Sequence, residues 1–131
     1  MTPGEHVLDH LYRIFYEDLG ICGCGNPEDV YVLVRDLLAL CPLYENDGWR
    51  LAEALTGGGA AQQIALSLLD TAELTEHGST INGSWLTTKG VWCLQAMKAV
   101  PFEQMHDAGL PHDGEDCTSK CWQVPVDGQT A

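Results

Sequence analysis

The sequence predicts a mainly α-helical fold with one short β-hairpin and two N-terminal helices. Three observations predict it. Apolar residues recur at three- and four-residue spacing in most segments between turn signals, the period of one buried helix face. Helix start and stop residues stand at the ends of those segments. Only residues 73–86 break into short, glycine-punctuated runs that fit strands.

Val7, Leu8, Leu11, Ile14, Phe15 and Leu19 give the first helix one apolar face, and the loop Gly20-Ile-Cys-Gly-Cys-Gly25 ends it. Asn26 as N-cap, Pro27 at the first helical position, and Glu28 and Asp29 against the helix dipole open the second. Its stripe of Val30, Leu33, Val34, Leu37, Leu38 and Cys41 runs to the stop at Pro42. A third helix starts at Asp47 or Gly48 and carries Trp49, Ala52 and Leu55; Thr56-Gly-Gly-Gly59 is the hinge after it. The fourth helix is expected to turn Ala61, Ile64, Ala65, Leu68 and Leu69 inward.

The hairpin strands are expected near 73–77 and 81–86, around the turn Gly78-Ser-Thr80. Thr87 or Thr88 then caps a fifth helix through Val91, Leu94 and Met97 to Val100, where Pro101 stops it. Residues 1–100 are therefore read as the helical domain. Residues 101–131, punctuated by Gly109, Pro111, Gly114, Pro125 and Gly128, are read as a tail packed on it, with room for a short helix at 102–108.

Helix, glycine turn, helix, hairpin, and then Leu86-Thr-Thr-Lys-Gly90 opening a helix: this order over residues 49–100 resembles the winged helix-turn-helix domains of bacterial regulators such as the MarR and PadR families. In those families the second strand of the wing commonly ends in a Leu-Thr-x-Lys-Gly signature, with the threonine capping the helix and the leucine closing the core beneath the wing. The resemblance implies a winged-helix-like core. The stretch Cys-Gly-Cys-Gly-Asn-Pro-Glu-Asp is similar to small uncharacterised proteins of actinobacteria and their phages, which implies no activity.

Charge argues against the usual work of that fold. Six Lys and Arg face 19 Asp and Glu, a formal charge of −13. Affinity for phosphates comes from cations that displace counterions, so such a surface repels nucleic acid and anionic membranes. The helix in the DNA-reading position, 59–70, has no Lys or Arg, and its uncharged hydrogen-bonding groups are Gln62, Gln63 and Ser67. Arg50 and Lys89 are the only nearby cations, outnumbered by Glu53, Asp70, Glu73 and Glu76. Direct DNA binding is not expected, and Gln62 and Gln63 become candidates for contact with a protein. No apolar run reaches the ~18–20 residues that cross a bilayer. The polar start, with Glu5 and Asp9, is not a secretory signal, so a cytoplasmic location is expected in a bacterial or phage-infected cell.

The six cysteines sort into two kinds. Cys41 sits on the apolar stripe of the second helix and Cys93 lies within the fifth, and both read as small buried hydrophobes. Cys22 and Cys24 sit in the glycine loop, and Cys117 and Cys121 in the tail. Two such pairs suit a structural zinc held by four thiolates, with His112 or His106 as a substitute for one. Free thiols, a Cys117–Cys121 disulfide, and redox chemistry at Cys22 and Cys24 are the alternatives.

Catalysis has little support. The sequence shows no phosphate loop, no Gly-x-Ser-x-Gly and no His-Glu-x-x-His, and Cys117 with His112 would sit on a punctuated tail rather than on rigid elements. Trp49 and Trp85 are expected to fill the core between the third helix and the wing. Trp92, beside an inward Val91, faces outward or packs under the tail. An exposed Trp near acidic residues is a hot-spot candidate for protein binding; the alternative places all four tryptophans in the core. The expectation is a non-enzymatic regulator or inhibitor that binds another protein, with a homodimer compatible. The alternatives are a DNA-binding transcriptional regulator and an acidic decoy of a nucleic-acid-binding protein.

Overall fold

A computed structural model describes residues 3–108 of the chain. Their regular structure is six α-helices and a single two-stranded antiparallel hairpin, a mainly α fold. Cys117, Cys121, His112 and Trp122 lie outside the described residues.

Helix α1, Pro3–Tyr12, continues into a π-helical turn at Arg13–Asp18. The Leu19 amide donates to the Ile14 carbonyl at 2.9 Å, five residues back. That wider turn inserts one residue into the helical phase. Ile14, Phe15 and Leu19 are all buried around it, while Asp18 stays exposed.

Helix α2, Pro27–Leu40, follows Asn26 and Pro27 as the sequence indicates, although the Asn26 side chain makes no capping bond. Tyr31, Val34, Leu37 and Leu38 are its buried residues. Tyr31 packs edge-to-face on Phe15 at 5.4 Å and on Phe102 at 5.7 Å, and its hydroxyl donates to the Val100 carbonyl at 2.6 Å. One side chain thus joins α2 to the backbone at Val100.

Helices α3, Gly48–Thr56, and α4, Gly59–Thr71, are joined at Gly57 and Gly58. Both glycines have positive φ, +90° and +76°, a backbone that residues with a β-carbon adopt only with strain. Strands β1, Thr75–Glu76, and β2, Trp85–Leu86, pair Thr75 with Leu86 and Glu76 with Trp85. They are shorter than the sequence suggests. Ile81–Gly83 forms a 3₁₀ turn instead of strand, because the Thr80 hydroxyl accepts the Asn82 amide and the Ser84 hydroxyl donates to the Ile81 carbonyl.

Helix α5, Thr88–Ala99, begins at Thr87, whose hydroxyl accepts the Gly90 amide at 3.0 Å. Helix α6, Phe102–Ala108, lies against α1, with Met105 fully buried. Residues 102–108 thus pack into the same core as the helices before them.

The structure corrects several expected placements in α4 and among the tryptophans. Helix α4 buries Gln62, Leu66 and Leu69 and packs Ala65 and Leu68 partly against the core, whereas Ala61 and Ile64 face out, Ile64 being 69% exposed. Trp92 is 2% exposed, in the centre of the core, whereas its neighbour Val91 faces out. Gly90, Cys93, Ala96, Met97 and Val100 complete the buried face of α5, a helical repeat in phase with Trp92 and out of phase with Val91. Trp49 is 38% exposed and Trp85 half-buried, so neither fills the core.

Candidate functional site

From Ala54 to Leu69 the chain runs sixteen residues without a charged side chain, in a protein whose net charge is −13. The run covers the end of α3, the glycine turn and nearly all of α4. Gln62 faces inward, its amide nitrogen donating to the Trp49 carbonyl at 3.1 Å and to Asn82 Oδ1 at 3.4 Å. That pins α4 to α3 and to the 3₁₀ turn of the hairpin and fixes the rotation of the helix. The opposite side must then face solvent. Ala60, Gln63, Ile64, Ser67, Leu68 and Thr71 line an open trough of about 380 Å³ along it. At the end of α3, Leu51 and Leu55 are exposed as well.

Of the three side chains the sequence nominates for partner contact, only Gln63 is at the surface. Trp92 is a core residue, and Gln62, 5% exposed, is a structural pin. The residue that sequence reasoning misses is Ile64. Both sides of α4 are apolar, so periodicity alone does not choose between them. The signal for the exposed side is the absence of charge combined with two glutamines, one of which had to turn inward.

The cations beside this face are occupied. Lys89 Nζ donates to Asp18 Oδ2 at 2.7 Å and to the Ala72 carbonyl at 2.9 Å. The Arg50 guanidinium lies 5.2 Å from the centre of the Trp49 ring. At the hairpin, His77 sits 3.5 Å from Asp70, and Trp85 Nε1 donates to Glu76 at 3.0 Å. Among the described residues, Lys89 and Arg50 thus offer a phosphate at α4 no uncommitted charge.

The nominated metal ligands fall on both sides of the described boundary. Cys22 and Cys24 are joined by a disulfide, with their α-carbons 5.3 Å apart. Sulfurs bonded to one another have no thiolate for a metal, so zinc at this loop would require the bond to be reduced first. Cys117, Cys121 and the substitute His112 are not described. His106, the other substitute, accepts or donates at Nδ1 with the Tyr16 hydroxyl, 2.6 Å away, and stacks on Phe102. Among the described residues no three His, Cys, Asp or Glu side chains are grouped to hold an ion.

Cys41 and Cys93 keep free thiols, and burial pushes both up, Cys41 to about 11 and Cys93 to about 12. Neither is a nucleophile near neutral pH. No helix among the described residues is long and apolar enough to cross a membrane. Compared with family models, curated proteins and solved structures, the chain matches none.

Proposed function

We propose that the chain is a non-enzymatic protein-binding regulator, built on an acidic, winged-helix-like scaffold, and that the outer face of α4 makes the contact. The observation that carries this reading is Ile64, 69% exposed at the middle of the charge-free run. Covering one such side chain is worth roughly 1.5–3 kcal/mol. An uncharged trough of Ile64, Leu68, Gln63 and Ser67, in a run that Glu53 and Asp70 bound in the sequence, has the composition of an interface centre. The same position in a DNA-reading helix needs cations and hydrogen-bond donors, and α4 offers neither beyond Gln63 and Ser67.

The test uses the chain and its Ile64→Glu variant as baits in lysate treated with nuclease. A protein retained by the parent and lost by the variant, with the melting temperature unchanged, supports the reading. Retention that disappears with nuclease would favour a nucleic-acid-dependent role instead. Sedimentation of the purified chain separates a second copy of itself from a foreign partner.

A further inference from the structure

The Cys22–Cys24 loop has a chemistry that the α4 face does not use. Its two bonded sulfurs belong to exposed residues, and only Gly23 separates them. Glycines at 23 and 25 flank Cys24, and Ile21 before Cys22 is half-buried against the core. The Cys24 amide donates to Cys22 Sγ at 3.2 Å. The helical frame is held without the pair: Ile21 N donates to the Phe15 carbonyl before it, and Val30 N to the Asn26 carbonyl after it.

We propose that Cys22 and Cys24 form a reversible thiol–disulfide exchange site whose co-reactant is a small monothiol of the glutathione class. An amide aimed at one sulfur stabilises charge on that sulfur, which makes Cys22 the better leaving group. The incoming thiolate attacks Cys24 Sγ, a new S–S bond forms there, and the electron pair of the old bond departs on Cys22. A second monothiolate attacks the outer sulfur of that mixed disulfide and expels Cys24 as thiolate. Each protein thiolate takes a proton from water, replacing those the two monothiols gave up. The protein disulfide is reduced by two electrons, and two monothiols are oxidised to one disulfide.

Trypsin isolates this pair, because residues 14–35 lie between Arg13 and Arg35 and contain no other cysteine. The full chain is equilibrated in glutathione buffers of varied reduced-to-oxidised ratio, alkylated, digested, and the 14–35 peptide weighed. The expected result is one transition from no adduct to two within the accessible ratios, reversed on reoxidation, with circular dichroism unchanged. In single variants at neutral pH, the thiol left in Cys24→Ser should alkylate several-fold faster than the one left in Cys22→Ser. A peptide that stays unalkylated in excess reduced glutathione would overturn the proposal, as would loss of helicity on reduction. Stoichiometric zinc uptake that silences both reduced thiols would overturn it too, assigning the loop to a metal.

Discussion

The α-carbon of Gly90 lies directly against the carbonyl of Leu74, so that a β-carbon there would overlap the oxygen and crowd Leu86 as well. Glycine at the end of the Leu86-Thr-Thr-Lys-Gly90 stretch is therefore a requirement of packing α5 against Leu74 and the hairpin. Gly90→Ala should destabilise by roughly 2–3 kcal/mol, since the obstacle is backbone and cannot rotate away. The melting temperature should drop by roughly 10 °C. Thr87→Ala should lose about 1 kcal/mol, because it removes the acceptor for the Gly90 amide and the donor to the Glu73 carbonyl. Thermal denaturation measures both.

The tryptophans should divide in the order opposite to their sequence expectation. Trp92→Ala empties the core and should lose roughly 3–5 kcal/mol. Trp49→Ala, at a half-exposed site, should lose about 1 kcal/mol. Urea denaturation of the two variants checks this; comparable losses would contradict the placement of Trp92.

Random duplex DNA should give no shifted band with low-micromolar protein at physiological salt. Of the five cations among the described residues, Arg13, Arg35 and Lys89 are paired with carboxylates and Arg50 lies over Trp49. Few remain to release counterions. A tight complex that weakens steeply with salt would show that the surface binds nucleic acid after all.

Stability should decline on the alkaline side. The Cys93 thiol is pushed up to about 12 and the Cys41 thiol to about 11, against an ordinary value of 9.0, in both cases by burial. A raised pKa means the folded state holds its proton more firmly than the unfolded chain. The associated stability is complete below about pH 9 and is lost as pH rises through about 11–12. Tyr31, raised further by its burial and bonded to Val100, acts in the same direction. Denaturation midpoints measured from pH 8 upward should fall progressively. At pH 8, alkylation of native protein should leave Cys93 unmodified.

The sequence by itself determined the helices, because their signals are local. Asn26-Pro27 and Pro42 bracket α2, glycines mark the α3–α4 turn, and Thr87 caps α5 with its own hydroxyl three residues away. It also determined the charge that argues against phosphate, since charge needs no coordinates. The tertiary structure alone decided which apolar faces are covered. Helix α4 is apolar on both sides, and Gln62 reaching Trp49 and Asn82 selects the side that leaves Ile64 outside. In α5 the neighbours Val91 and Trp92 lie about 100° apart around the helix. Only the packing of α1 and α2 against α5 settles which of them enters the core. The π-helical turn at Arg13–Asp18 is likewise invisible to periodicity, which places Leu19 inward without it. Periodicity reports that a helix has an apolar face, and the surface the rest of the chain presents decides which face it buries.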